Sequence, residues 1–171
     1  KLQRFEAISL DAVEHGWQVA AHAIGDRGNR TILDAYGRVE QRHRHKDMRL
    51  RVEHAQIVDP VDIARFSKLR VIASMQPTHA TSDMPWVPAR VGDARRRGAY
   101  AWRRFWQAGA RLALGSDFPV EEGDITFGLH AAVTRQDSKG QPEGGWLPDQ
   151  RLTLDEAIAG FTREAAYAVR R

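Results

Sequence analysis

Short apolar runs alternate with longer amphipathic segments along this chain. The runs that we predict as strands cover residues 17–24, 50–58, 70–75 and 111–116. In the segments between them, apolar residues recur every three or four positions, which is the period of a helix with one buried face. Strands that alternate with helices are typical of an α/β fold built on a parallel sheet. The pattern therefore predicts successive strand–helix units in a single sheet.

Capping and turn residues mark the ends of several predicted helices. Gly16 follows the last turn of the opening helix, where glycine commonly ends helices. Asp59 and Pro60 supply an N-cap and a first-turn proline for the helix after the second strand. Thr153 and Glu156 have the spacing of a capping box, which predicts the start of the last helix.

Residues 76–98 carry three prolines and show no regular apolar period. Structureless segments of this length are uncommon in compact domains, and those that occur are often lids or binding loops. We therefore expect this segment to be a loop that faces a substrate.

Three of the predicted strands place a polar, chemically active residue near their carboxyl ends. These residues are His22, His54 and Asp117. Taken singly, a buried histidine is more often hydrogen-bonded in the core, and an aspartate after a strand often caps a loop. Together they occupy the edge where parallel α/β folds build their sites, and imidazole and carboxylate groups bind zinc. We therefore predict a divalent metal site.

Composition narrows the functional classes. The 171 residues are 42% hydrophobic and 28% charged, as in an ordinary globular domain. The chain lacks cysteine, so a metal would be held by His, Asp or Glu. No apolar run approaches the roughly 20 residues of a membrane span, and the start lacks a secretory signal, so we expect a cytoplasmic protein without a membrane partner.

The net charge of +4 raises the alternative of a nucleic-acid-binding module. Basic residues cluster at 42–46, 95–97 and 170–171. These clusters fall at the ends of predicted helices, where cations suit the helix dipole, and no aromatic residues are interleaved with them. We therefore expect no nucleic-acid partner.

Several motifs resemble those of a known family. The stretches VAAHAIGDRGNRTILDAY, RVEHAQIV, ASMQPTHATSDMPW, ALGSDFPVE and LTLDEAIAGFTREAAYAV are similar, in this order, to the C-terminal part of the catalytic barrel in the amidohydrolase superfamily. The resemblance is strongest to amidohydrolase family 3, the group that includes N-substituted formamide deformylase. It implies that residues 1–171 form strands five to eight of a (β/α)8 barrel, the C-terminal half, with the N-terminal half and a β-sandwich absent.

The resemblance also implies a reaction and a site. The reaction would be hydrolysis of a C–N bond in a small amide, formamide or cyclic amide by water activated on one or two divalent ions, with zinc as the expected metal. His22, His54 and Asp117 would bind metal, and Asp117 would also transfer protons. Candidate substrate contacts are His79, Asp83, Trp86 and Arg135.

The chain departs from the family pattern in one respect. The family has a His-x-His pair on the first barrel strand, whereas the only such pair here, His43 and His45, lies in a polar stretch that we interpret as solvated surface. We therefore expect a fragment that is inactive alone and that associates with itself through its open half-barrel. The alternative is a non-catalytic, truncated or degenerate copy.

Overall fold

The computed structural model describes residues 2–170 and contains one parallel sheet. Its strands follow one another in chain order, and each pairs only with its neighbours in that order. They are β1 (Ala20–Ala23), β2 (Arg51–His54), β3 (Ile72–Met75) and β4 (Leu112–Leu114). A parallel sheet in sequential order with a helical connection after each strand is half of a (β/α)8 barrel. The predicted fold class is therefore confirmed.

Helices precede, connect and follow the strands. They are α1 (Leu2–Glu14), α2 (Asp26–Arg42), α3 (Pro60–Lys68), α4 (Pro77–Asp83), α5 (Val87–Arg96), α6 (Trp102–Gln107), α7 (Ile125–Thr134), α8 (Leu154–Ala159) and α9 (Ala165–Ala168). A π-helical turn, Gly160–Glu164, joins α8 to α9, and a 3-10 turn, Pro148–Gln150, precedes α8. Among the described residues, no helix is long and apolar enough to span a membrane.

The two faces of the sheet differ in polarity. One row across the four strands joins Ala21, Val52, Ala73 and Leu112 in register, and all four are buried beneath the helices. The row beside it joins His22, Glu53, Ser74 and Ala113. Because successive residues of a strand point to opposite faces, the polar groups of the second row lie on the face away from the helices. This is the inner face of the half-barrel.

Large side chains of the connecting helices fill the space against the first face. Tyr36 of α2, Phe66 of α3 and Phe105 of α6 are each 0% exposed, and the rings of Phe66 and Phe105 meet edge to face at 4.9 Å. The hydroxyl of Tyr36 donates to the carbonyl oxygen of Arg51, at 3.0 Å. These contacts pack the connecting helices against this face of the sheet.

The predicted caps are present. The side chain of Asp59 accepts from the backbone N–H of Val61 at the start of α3. Thr153 and Glu156 form both hydrogen bonds of the capping box at the start of α8. Gly16, just after α1, has a φ of +80°, which glycine adopts without strain.

The prediction that residues 76–98 form a structureless loop is wrong, because the segment contains two helices, α4 and α5. Pro77 is the first residue of α4, and Pro88 lies in the first turn of α5. Proline lacks the N–H that a helix leaves unpaired in its first turn, so both prolines start helices rather than prevent them. Gly92, with a φ of +71°, interrupts α5 and obscures its period.

The predicted strands are correct in place but longer than the paired segments.

Gly98 packs directly against the backbone of Val58, four residues after the end of β2, and this contact predicts that a larger side chain at Gly98 destabilises the fold. A Cβ at Gly98 would lie 1.8 Å from the carbonyl oxygen of Val58, which is backbone and cannot rotate away. We expect Gly98→Ala to lower the free energy of unfolding by about 3 kcal/mol or more. Urea unfolding followed by circular dichroism measures this loss. Gly25→Ala is the control, because a Cβ there meets nothing within 4 Å; equal stabilities of the two variants would contradict the packing described.

Acid should weaken the attachment of α8. The two terminal guanidinium nitrogens of Arg103, Nη1 and Nη2, donate to the carboxylate of Glu156, at 2.7 and 2.6 Å, and hold the pKa of that carboxyl below the ordinary value of 4.5. A lowered pKa means that the stabilisation is complete above the ordinary value and is lost as the pH falls through the lowered one. Glu156→Gln should therefore cost stability at pH 7, and the cost should shrink as the pH is lowered below 4.5, as measured by urea unfolding over this range. The exposed Glu143→Gln should show no such difference.

Candidate metal centre and active site

The carboxyl edge of the sheet carries the three residues singled out in the sequence. His22 lies in β1, His54 is the last residue of β2, and Asp117 follows the end of β4 by three residues. Since the strands are parallel and adjacent, these positions share one edge. The rings of His22 and His54 meet edge to face, with centroids 4.5 Å apart.

The backbone turns sharply at two of these residues. Strand alternation would place His54 on the same face as Val52, under the helices. Instead, His54 has a φ of +76° and Asp117 a φ of +60°, in the left-handed region that residues other than glycine rarely adopt. Strain of this kind costs on the order of 1–3 kcal/mol and is commonly found at functional sites. These left-handed residues lie at the end of β2 and just beyond the end of β4, and the one at His54 releases its side chain from strand alternation.

His79, predicted as a substrate contact, lies within the same cluster. It belongs to the short helix α4 and is only 7% exposed. One ligand atom from each of His54, His79 and Asp117 lies within 4.8 Å of the others. The rings of His54 and His79 stack with centroids 5.7 Å apart. The Nε2 atom of His79 is 3.9 Å from Oδ2 of Asp117, too far for a hydrogen bond.

Two glutamines contact the ring nitrogens of these histidines. Oε1 of Gln76 lies 3.0 Å from Nδ1 of His54, and Nε2 of Gln56 lies 3.2 Å from Nδ1 of His79. Both glutamines are buried. The remaining ring nitrogen of His79, Nε2, is buried and has no hydrogen-bond partner among the described residues.

The donor set fits a divalent metal of the zinc type. Imidazole nitrogens and a carboxylate oxygen are ordinary zinc ligands. A buried nitrogen without a hydrogen-bond partner normally costs free energy, so Nε2 of His79 is available to contact a further group. Among the described residues the geometry groups His54, His79 and Asp117. His22, which the family resemblance implies as a ligand, contacts the ring of His54 and is the other candidate for the third member.

Burial sets the protonation of this region. Burial lowers the pKa of His79, and this effect outweighs the nearby carboxylates of Glu121, Asp117 and Asp83, which raise it. Burial also raises the pKa of Asp83 against the hydrogen bond that it accepts from the hydroxyl of Tyr100. His79 is thus favoured as a neutral imidazole at neutral pH.

The other candidate substrate contacts lie in different surroundings. Trp86, at the N-terminus of α5, is 46% exposed. Asp83 is half-buried at the end of α4 and binds Tyr100.

Arg135 requires a correction, since it is 0% exposed and offers no surface to a substrate. Its guanidinium donates to the carbonyl oxygens of Trp146 and Tyr100, at 2.8 and 2.9 Å, and lies 4.1 Å from the ring centroid of Trp102. Burial holds the pKa of Arg135 well below its ordinary value. The residue ends α7 in a left-handed conformation and supports Tyr100 from behind the site.

The His-x-His pair was assigned wholly to solvated surface, and this is wrong for one member. The side chain of His43 is only 15% exposed, and its Nε2 lies 3.8 Å from Oε1 of Glu14 in α1. His45 is exposed, as predicted. The difference arises because α1 packs against α2 and covers the end of α2 where His43 lies.

Sequence reasoning missed Gln56, Gln76 and Tyr100. The two glutamines could have been found, because each is a polar residue within an apolar run next to a candidate histidine, in the motifs HAQ and QPTH. Tyr100 gave no local signal, since it reaches Asp83 only through the fold.

The chain is similar in sequence to several known proteins. The chain is 35% identical over 167 residues to Protein LONG AFTER FAR-RED 3 of Arabidopsis thaliana, covering 97% of this chain and 28% of that protein. It is 34% identical to the putative amidohydrolase YtcJ of Bacillus subtilis, covering 91% and 29%. It is 28% identical to N-substituted formamide deformylase of Arthrobacter pascens, covering 94% and 29%.

Solved structures share the fold. An uncharacterized metal-dependent hydrolase from Pyrococcus horikoshii superposes with a TM-score of 0.86 at 30% identity, covering 98% of this chain and 33% of that one. Atrazine chlorohydrolase from Arthrobacter aurescens, solved in complex with zinc, superposes with a TM-score of 0.64 at 19% identity, covering 100% and 36%. At that identity the likeness concerns the fold alone. The chain thus spans about a third of the length of the proteins it matches.

The amidohydrolase family matches almost the whole chain, over residues 2–171. The relatives and the metal-dependent hydrolase structures agree with this match. The chain therefore belongs to the amidohydrolase family, in the group of amidohydrolase family 3.

Proposed function

We propose that the protein carrying this chain is a metal-dependent hydrolase that cleaves C–N bonds in small amides, formamides or cyclic amides. The observation that carries the proposal is that ligand atoms of His54, His79 and Asp117 lie within 4.8 Å of one another at the carboxyl edge of one parallel sheet, with the ring of His22 against that of His54. Among the relatives, N-substituted formamide deformylase indicates the kind of bond. Family membership indicates the class of reaction.

We propose His22, His54 and Asp117 as metal ligands, with zinc as the metal. Zinc accepts imidazole and carboxylate ligands, and the chain has no cysteine that would favour softer metals. The structural relative solved with zinc supports this choice of metal. In the whole protein, one or two ions would lie at this edge, beside the inner-face row that begins with His22.

A bound divalent ion would polarise the substrate carbonyl and lower the pKa of a water molecule to about 7. Asp117 then has the role of proton carrier. Its side chain is 39% exposed and its backbone turns it out at the end of β4, so its free oxygen can accept the proton of the attacking water. The same oxygen would return that proton to the departing nitrogen, as general acid–base catalysis requires.

A cleft of about 440 Å³ lies between α4 and α7, and none of the proposed metal ligands or substrate contacts is among its lining residues. Thr78, which precedes His79, and Glu121, which follows Asp117 on the same connection, both line it. His79, Asp83 and Trp86 remain the proposed substrate contacts, with His79 the most enclosed of the three.

The isolated chain is proposed to lack turnover and to self-associate. Among the described residues, β1 and β4 each have one edge without a neighbouring strand. Unpaired edges of this kind invite pairing with another chain. The inner face also exposes His22, Glu53 and Ser74 to some degree, where a complete barrel would be packed.

Removal of either proposed histidine ligand should weaken zinc binding. Zinc sites gain about 10–16 kcal/mol from about four ligands, so one ligand is worth about 3 kcal/mol, or about 100-fold in affinity. We expect His22→Gln and His54→Gln each to raise the zinc Kd by about this factor in isothermal titration calorimetry. His45→Gln, at an exposed position remote from the site in sequence, is the matched control. Unchanged affinity in both ligand variants would contradict the assignment.

Asp117→Asn in the whole protein should lower kcat by about 10²–10⁴, because the amide cannot carry the proton. Steady-state hydrolysis of a formamide, measured with zinc in excess, checks this expectation. The control is Asp93→Asn, which changes a carboxylate that is 89% exposed. A kcat equal to that of the control would remove Asp117 from the chemistry.

A further inference from the structure

Two histidine–glutamine pairs cross between neighbouring strands at the site. The end of β2 supplies His54 and Gln56, and the end of β3 supplies Gln76 and the start of the helix that carries His79. Each glutamine contacts the histidine of the other strand, at Nδ1 in both cases. All four side chains are buried or half-buried, so these contacts are shielded from exchange with water.

The two contacts have opposite polarity. Gln76 offers its carbonyl oxygen, which can only accept, so Nδ1 of His54 carries the proton. Gln56 offers its amide nitrogen, which can only donate, so Nδ1 of His79 is the acceptor and carries no proton. In a neutral imidazole the proton lies on one nitrogen only. His54 therefore exposes a lone pair at Nε2, whereas His79 exposes an N–H there.

We infer that His79 is a hydrogen-bond donor to the substrate rather than a metal ligand, and that Gln56 is the positioning residue that fixes this role. Metal ligation requires a free lone pair, which His54 has at Nε2 and His79 lacks. The inference rests on the proposed function for the identity of the substrate, and it selects His22 over His79 as the third member of the ligand set.

The surroundings of Nε2 of His79 agree with a donor. This atom is buried, has no partner among the described residues, and faces Asp117 across 3.9 Å. The gap is too long for a direct bond, and the Nε2–H is turned toward the side of the site where the proton carrier lies. A carbonyl oxygen of the substrate that gains negative charge during attack would accept this N–H, as in an oxyanion hole. The proton stays on Nε2 throughout.

Nuclear magnetic resonance of the ring nitrogens tests the assignment directly. The metal-free chain is labelled with ¹⁵N histidine, and each signal is assigned from the variant that lacks that histidine. We expect Nδ1 of His54 to be protonated and Nδ1 of His79 to be unprotonated. A protonated Nδ1 with an unprotonated Nε2 at His79 would overturn the inference, and the tautomers themselves are measured in the unsubstituted chain.

A pair of matched substitutions tests the role of the glutamines. Gln56→Glu replaces a donor by an acceptor, so Nδ1 of His79 should gain a proton. Gln76→Glu replaces one acceptor by another, so Nδ1 of His54 should keep its proton. The two changes are chemically identical and both are at buried positions, which separates tautomer control from general disturbance. An unchanged Nδ1 of His79 in folded Gln56→Glu would contradict the role of Gln56.

Zinc added to the parent chain separates the inference from the proposed function. We expect the Nε2 signal of His54 to shift on binding, while the Nε2–H of His79 persists. Loss of that N–H when zinc binds would place His79 among the ligands and overturn the inference. Absence of any binding would contradict the proposed metal site, whereas the tautomers, measured without metal, are decided separately.

Discussion

The parallel register of four short strands is the constraint on which the site depends. Each strand contributes its carboxyl end to one edge, and the register aligns the rows across the sheet residue by residue. The buried row of Ala21, Val52, Ala73 and Leu112 holds the strands against the helices. A shift of one residue in any strand would move its side chains to the opposite face. Packing against the helices on one face of the sheet therefore determines which side chains meet on the opposite, inner face.

Left-handed turns at the strand ends complete the arrangement. His54 would otherwise follow Val52 into the helix-facing core, where its ring would displace apolar contacts. The positive φ values at His54 and Asp117 cost free energy that the surrounding packing must supply. Behind the site, buried Arg135 and its contacts with Tyr100 and Trp102 stabilise the segment that binds Asp83.

The sequence predicted the features that depend on local pattern. The strand centres, the cap at Asp59 and the capping box at Thr153 follow from apolar period and side-chain chemistry within a few residues. The resemblance of the motifs to a known family predicted the half-barrel, which the parallel sheet confirms. Features that depend on contacts between distant segments were missed or misplaced.

Two failures illustrate this limit. The segment that holds α4 and α5 is expected to be a loop because it carries three prolines and no regular apolar period, and the sequence does not show whether a proline stands in a first turn or in a helix interior. Arg135 was expected near a substrate, but its aromatic surroundings come from residues 100, 102 and 146, which only the fold brings together. Gln56 and Gln76 lie close to the histidines in the sequence, but which amide atom each presents to a histidine depends on the orientation of its side chain.

The sequential order of the strands also limits how this site can grow. His54 and His79 lie at or after the ends of the two middle strands, β2 and β3, which have a neighbour on each side, whereas β1 and β4 are the outermost described strands. Any additional strand, from a second molecule or from another segment, can join only beyond His22 or beyond Asp117. Metal ligands from an additional strand would therefore lie next to His22 or next to Asp117. They could not enter between β2 and β3, because the backbones of these strands are already paired with each other.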